Sequence, residues 1–219
     1  MMGERGFSLI ELLVAMAIML VAMAAVFRLI NPASGTFDAE LERIEMQQRM
    51  RASADAIFNE VLVAGAGAAI PAVAPFRRGE RNPDAFGSAY SDRLSVSYVP
   101  ANAGVEDTAT VTFWLRTDPD EGTQLMRYDG RQSDVPLADH LSSLRFDYFG
   151  ADGEEIDRGR FTDGPWTTGA SGQPFDADLQ AIRRVRVTLR VSPVRVMLRT
   201  PLPDHEMAMD VSLRNLDRP

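Results

Sequence analysis

The chain contains no cysteine and no lysine, and only two of its 219 residues are histidine. Without cysteine, neither a disulfide nor a thiolate metal site can hold the fold, so stability depends on packing. All 23 basic residues are arginine, whose planar guanidinium group suits pairing with carboxylates. Acidic residues outnumber them and give a net charge of −8. This charge argues against non-specific binding to nucleic acid, which depends on cationic side chains.

Sequence signatures of catalysis are also missing. No Gly-x-Ser-x-Gly, phosphate-binding loop or dinucleotide fingerprint occurs in the sequence. His140 and His205 each follow an aspartate, so a two-histidine metal site is conceivable, but no third ligand recurs at a suitable spacing. The acidic segment 152–157 could hold calcium, yet it lacks the Asp-x-Asp-x-Asp-Gly loop and reads more simply as a solvated turn. We therefore expect no enzyme, no cofactor and no bound metal.

The dominant feature is an apolar run from Phe7 to Phe27 that contains one ionisable side chain, Glu11. The run lacks proline and glycine, and as a helix it reaches about 30 Å, the thickness of a hydrocarbon core. A secretory signal peptide is the main alternative, but its apolar region usually spans about 7 to 15 residues and ends at a small-x-small cleavage site. A carboxylate in lipid costs about 2.5 to 3.5 kcal/mol, so Glu11 is expected to have a partner and a function.

The N-terminal string resembles a known processing signal. Residues 1–6 end in Gly6, and the sequence FSLIE follows at 7–11, which is similar to the class III signal of type IV pilins and type II secretion pseudopilins. The resemblance implies that a prepilin peptidase cuts between Gly6 and Phe7 and methylates the new N-terminus. Glu11 then becomes the fifth residue of the mature chain, where the family places a glutamate used in subunit assembly. The alternative is an ordinary membrane anchor in which this glutamate is incidental.

A physical role for Glu11 can be argued from charge. The α-amino group of Phe7, once free, is cationic near neutral pH, and pairing it with a carboxylate offsets much of the desolvation cost of both charges. An amine in the same chain would form this pair without assembly, whereas the amine of a neighbouring subunit would set the axial register of a filament. The resemblance implies the second arrangement, while the residues by themselves show only an unpaired charge.

Beyond the apolar run, the helix is expected to continue to about residue 64, with a bend or local opening at Pro32. Apolar residues then recur at three- and four-residue steps, which predicts a stripe packed on a sheet of the same domain rather than a coiled coil. The stripe contains Phe37, Leu41, Ile44, Met50, Ala54, Phe58 and Leu62. Gly65 and Gly67 are expected to end the helix.

Downstream of the helix, the segment 65–92 reads as irregular, and alternating apolar residues then predict antiparallel strands. The predicted strands are a meander at 94–99, 110–115 and 124–128, followed by strands at 141–149, 182–191 and 207–213. The fold class is therefore α+β, with a long N-terminal helix packed on an antiparallel sheet. The predicted organisation is a leader at 1–6, a transmembrane helix at 7–30, its amphipathic continuation at 31–64 and a periplasmic β-rich domain at 65–219.

Three downstream segments, 141–153, 183–189 and 211–215, extend the resemblance to minor pilins of the PilW type and to the J-type minor pseudopilin of type II secretion. The resemblance implies a minor pilin or pseudopilin that helps to initiate or cap a filament, with prepilin peptidase, other pilins and the inner membrane as partners. It also implies a cytoplasmic N-terminus, since the flanking charges do not indicate the orientation. The alternative is a membrane-tethered periplasmic binding or adhesion domain that does not polymerise.

Overall fold

A computed structural model describes residues 8–68, 71–76, 93–101, 103, 108–120, 122–129, 135–157, 161, 177–194 and 202–216, with only the backbone described at 29–34, 75–76 and 177. The two helices are α1 (Leu9–Val63) and α2 (Ala177–Ala181). The strands are β1 (Val73–Phe76), β2 (Arg93–Tyr98), β3 (Ala109–Asp118), β4 (Gly122–Tyr128), β5 (Val135–Ala138), β6 (Leu141–Phe149), β7 (Arg184–Val191) and β8 (His205–Ser212). The predicted α+β class is confirmed, since a long apolar helix precedes antiparallel strands.

The chain divides into two compact units, and the division falls inside α1. One unit contains α1 up to Ile44, and the other begins at Glu45 and contains the rest of α1 with all eight strands. The helix runs unbroken to Val63, so the local opening expected at Pro32 is not seen. Positive φ angles at Gly65 and Gly67 then turn the chain, as expected for glycines after a helix.

In the first unit, the segment Leu9–Arg28 of α1 is long and apolar enough to cross a membrane. All of its side chains are exposed. A continuous apolar surface of this length is unfavourable in water and favourable in lipid. Three members of the predicted stripe, Phe37, Leu41 and Ile44, are also exposed in this unit, and Phe37 is 77% exposed. The prediction that these three side chains belong to a buried stripe is wrong.

In the second unit, the packed face of α1 also differs from the predicted stripe. Met50 and Ala54 are buried as predicted, but Phe58 is 37% exposed. The buried face of this part of α1 contains Met46, Met50, Ser53, Ala54, Ile57 and Val61. Steps of three and four residues connect these side chains as well as they connect the predicted ones, so periodicity could not distinguish the two faces.

Five strands form one antiparallel sheet in the order β1-β2-β3-β4-β5. The predicted meander is confirmed as β2, β3 and β4, whereas β1 and β5 were not predicted. Both missed strands are four residues long and contain a proline, Pro75 or Pro136, which obscures the alternation that predicts a strand. Polar side chains buried in this sheet pair across strands, and the hydroxyl groups of Ser95 and Thr112 lie 2.9 Å apart.

The strands β6, β7 and β8 form a second antiparallel sheet with β7 in the centre. They confirm the last three predicted strands with shifts of a few residues at the ends. Alternate residues of β7 are fully buried, as its sequence pattern predicts: Val185, Val187, Leu189 and Val191. The prediction of one sheet is corrected to two, and β6 lies next to β2, β3 and β4 of the other sheet.

Polar contacts attach the end of α1 to the β-structure. Glu60 on α1 pairs with Arg127 on β4, whose Nε lies 3.1 Å from the Glu60 carboxylate. Beyond β8, the side-chain amide of Asn215 donates to the carbonyl oxygens of Leu62, at 3.1 Å, and Ala64, at 3.3 Å. The last carbonyls of a helix have no partner in the helix itself, so Asn215 caps the C-terminal end of α1.

The contact at Glu60 predicts a pH dependence of stability through Tyr98. Burial, and then the charge and hydrogen bond of Glu60, raise the pKa of Tyr98 above its usual value of about 10. The unfolded chain therefore loses this proton at a lower pH than the folded chain. The free energy of unfolding should fall as the pH rises from about 10 through the folded pKa.

The measurement is denaturant unfolding of the wild type and Tyr98→Phe in detergent, at pH values on both sides of 10. The fall in the free energy of unfolding should be smaller in Tyr98→Phe, because the variant lacks the contribution of Tyr98 while the remaining tyrosines contribute equally to both proteins. An identical fall in the two proteins would show that Tyr98 does not contribute to it.

Candidate functional site

The candidate site lies at the N-terminal end of α1. Gly6 and Phe7, the predicted processing residues, lie outside the described residues, whereas Ser8 and Glu11 are described. Because α1 begins at Leu9, Ser8 directly precedes the helix and Glu11 belongs to its first turn. The backbone N–H groups of a first turn have no hydrogen-bond acceptors within the helix, so other groups must accept these bonds.

Ser8 and Glu11 together satisfy this end of the helix. The backbone N–H of Ser8 donates to Oε2 of Glu11 at 3.4 Å, and the Ser8 hydroxyl accepts from the N–H of Ile10, also at 3.4 Å. The Ser8 carbonyl oxygen accepts from the N–H groups of Glu11, at 3.0 Å, and Leu12, at 3.2 Å. The two side chains thus bond reciprocally around the first turn.

This arrangement is a capping box, in which a serine before a helix and a glutamate three residues later satisfy otherwise unpaired N–H groups. A carboxylate at this end also interacts favourably with the helix dipole, by about 0.3 to 1 kcal/mol. The charge of Glu11 alone predicts an unpaired carboxylate and gives no indication of this local role. The signal was present, because Ser8-x-x-Glu11 before an apolar run is the sequence pattern of a capping box.

Capping leaves Glu11 available for a second partner. An ionised carboxylate offers about four acceptor positions on two oxygens, and the cap uses Oε2. The donor is the amide of Ser8, which remains an amide whether or not the preceding Phe7 is the first residue. The Glu11 side chain is exposed. It can therefore cap its own helix and also accept a cationic group from another chain.

The two histidines lie at one end of the three-stranded sheet, on either side of β7. The N–H of Ser192 donates to the carbonyl oxygen of His140 at 3.0 Å, and His205 is the β8 partner of Val191. One strand separates them, which corresponds to roughly 10 Å between their backbones. Within the described residues, no group of three His, Asp or Glu side chains is placed to hold a metal ion.

The acidic segment 152–157 forms a turn directly after β6. Oδ1 of Asp152 accepts from the backbone N–H of Glu154 at 3.0 Å. The N–H of Ile156 donates to the carbonyl oxygen of Tyr148 at 2.7 Å and returns the chain to β6. The Asp152 carboxylate therefore shapes the turn, which favours the interpretation as a solvated turn over a calcium site.

The described residues define a class of protein: an α+β chain whose first helix can span a membrane and is capped at its N-terminal end by Ser8 and Glu11. Residues 1–27 match the family described as the prokaryotic N-terminal methylation motif. This match supports the type IV pilin and pseudopilin family, and it contains the candidate residues Gly6, Phe7 and Glu11. No curated protein matches the chain.

Proposed function

We propose that the protein is a minor pilin or minor pseudopilin, a low-abundance structural subunit that helps to initiate or cap a filament drawn from the inner membrane. Prepilin peptidase cuts between Gly6 and Phe7 and methylates Phe7, and Glu11 then pairs with the N-terminal amine of a neighbouring subunit. The observation that carries this proposal is the match of residues 1–27 to the methylation motif, which ends on the membrane-length part of α1.

The proposed topology follows from the same processing step. Gly6 must face the cytoplasm, so residues 7–30 span the inner membrane once and the chain beyond them enters the periplasm. Residues 31–64 continue the helix, and 65–219 form the exported β-rich domain. The partners are prepilin peptidase and other pilins or pseudopilins.

The arrangement of the second sheet supports the minor-subunit proposal. The three segments that resemble PilW-type minor pilins and the J-type minor pseudopilin are distant in the sequence. They correspond to β6 with its following turn, to β7, and to the end of β8 with Asn215. The strands β6, β7 and β8 form one sheet, and Asn215 caps α1. The resemblance therefore falls on one connected part of the fold.

We expect mass spectrometry of the protein from its native host to find an N-terminus at Phe7 that carries one methyl group. The matched control is co-expression with and without a prepilin peptidase: the cut should require the peptidase, and Gly6→Val should block it when the peptidase is present. An N-terminus at Met1, or a cut near residue 30, would contradict the pilin proposal and favour a membrane anchor or a cleaved signal peptide.

The minor role has a separate readout in the same host. Sheared filaments should contain this subunit far below the abundance of the major pilin, and deletion of its gene should lower the number of filaments. Processing without any incorporation into filaments would support the non-polymerising binding domain instead.

A further inference from the structure

Three of the four outer strands in the two sheets are protected against pairing with another chain. β1 and β5 are short and each contains a proline, Pro75 or Pro136, which cannot donate to a new strand. The end of β6 is covered by its own turn, because Phe149 bridges Glu155. The start of β6 carries an irregular register between Leu141 and Ser143. These are the usual means of preventing edge-to-edge association.

Among the described residues, the fourth outer strand, β8, has neither a proline, nor a covering turn, nor an irregular register. Its eight residues contain no proline and pair with β7 in a continuous register from His205 to Ser212. Within the described part of the chain, β8 pairs with β7 alone. A long, regular and exposed edge strand is a template for a further strand.

The backbone groups that face away from β7 can be assigned from the alternation of an antiparallel pair. The N–H of Leu213 donates to the carbonyl oxygen of Arg183 at 2.8 Å, so bonds to β7 fall on the odd-numbered residues of β8. The even-numbered residues direct their N–H and C=O groups to the outer edge. These residues are Glu206, Ala208, Asp210 and Ser212.

The side chains of β8 specify the chemistry of a partner strand. On the inner face, Met207 and Met209 are half-buried next to the β7 core residues, and methionine adapts readily to new apolar contacts. On the outer face, Glu206 is 50% exposed and Asp210 is 36% exposed. On the side of β7, Arg190 donates a hydrogen bond to Glu206, and Arg186 donates two to Asp210. The hydrogen bonds from Arg186 keep the pKa of the Asp210 carboxyl below its usual value.

We propose that β8 is a docking edge for an extended strand of a different polypeptide, in which basic and apolar side chains alternate. The basic side chains face Glu206 and Asp210, and the apolar side chains cover Met207 and Met209. The backbone of the partner bonds to the outward N–H and C=O groups of β8, in particular those of Ala208 at its centre. This is binding by strand addition.

In the register centred on Ala208, a second copy of β8 is disfavoured as the occupant by its charges. In an antiparallel pair of two β8 strands centred on Ala208, Glu206 of each copy lies directly opposite Asp210 of the other. Like charges directly opposite each other destabilise a strand pair. The inference is independent of the proposed filament role, because the edge would accept the same strand in an unprocessed and unassembled chain.

The test uses the full-length chain in non-ionic detergent and three synthetic peptides as long as β8. The first alternates arginine and valine, the second alternates glutamate and valine, and the third is the arginine–valine peptide with alternate backbone amides N-methylated. We expect the first peptide to bind and to slow hydrogen exchange at the amides of Ala208 and Asp210. The second should bind at least about tenfold more weakly, since two opposite-charge pairs become like-charge pairs. The third should not bind, because it cannot complete the backbone ladder.

A pair of variants separates the backbone from the side chain at the centre of the edge. Ala208→Pro removes an N–H that does not bond to β7, so the sheet should persist while binding of the arginine–valine peptide is lost. Ala208→Val keeps the N–H and should bind as the wild type does. Circular dichroism reports whether each variant is folded. If Ala208→Pro does not fold, the binding of the three peptides to the wild-type chain still tests the proposal.

Several outcomes would overturn the proposal. These are no binding of the arginine–valine peptide, equal binding of all three peptides, and protection at residues outside β8. Concentration-dependent dimerisation that Ala208→Pro abolishes would identify a second copy as the occupant and would also overturn it.

Discussion

Glu11→Leu is expected to lower recovery of the subunit in sheared or secreted filaments by at least about tenfold, while cleavage after Gly6 and membrane insertion stay intact. Removing one member of a desolvated charge pair leaves the other charge uncompensated, which costs about 3 to 5 kcal/mol. In Glu11→Leu, the N-terminal amine of the neighbouring subunit would be left without an opposite charge. Insertion should be unaffected or improved, because leucine is cheaper than glutamate in lipid.

The capping box supplies two matched controls for this experiment. Glu11→Gln keeps an acceptor for the Ser8 N–H but loses the charge, so it should fail in filaments as Glu11→Leu does. Ser8→Ala removes the hydroxyl cap but keeps the carboxylate, so its filament recovery should stay close to that of the wild type. A cap of this kind contributes about 1 kcal/mol to the helix end.

Immunoblots of membrane and filament fractions measure all of these proteins. Recovery of Glu11→Gln at the wild-type level, together with a loss in Ser8→Ala, would assign Glu11 to the helix cap alone. Recovery of Glu11→Leu at the wild-type level would refute the pairing role.

Ile57→Ala is expected to lower the free energy of unfolding of the β-containing unit by about 2 to 5 kcal/mol, because it removes a fully buried side chain and leaves a cavity. Ile57 lies on the buried face of α1. The measurement is denaturant unfolding in detergent, followed by tryptophan fluorescence, to which Trp114, buried on β3 in the same unit, contributes.

The adjacent residue provides the control. Phe58 belongs to the stripe predicted from the sequence, but it is 37% exposed. Phe58→Ala should therefore cost less than Ile57→Ala, although it deletes a larger side chain. A larger loss for Phe58→Ala than for Ile57→Ala would contradict the observed orientation of α1 and favour the predicted stripe.

Much of the fold could be predicted because its signals are local. The membrane-length run ending at Phe27 depends on composition alone, and the strands β2, β3, β4, β6, β7 and β8 each carry their own alternation of apolar residues. The processing signal is also a contiguous string, so Gly6, Phe7 and Glu11 could be nominated together. The cap between Ser8 and Glu11 is just as local, but it is predicted only when Glu11 is considered as part of a helix terminus and not as a charge alone.

The tertiary structure decided what local patterns leave open. Two faces of α1 have helical spacing, and the packing of the β-structure against it determines that Ile57 is buried and Phe58 is exposed. The division of the strands into two sheets, and with it the position of β8 at an outer edge, depends on pairings between residues far apart in the sequence. Alternation specifies which side chains of a strand face the core, but it carries no information about which strand lies beside it.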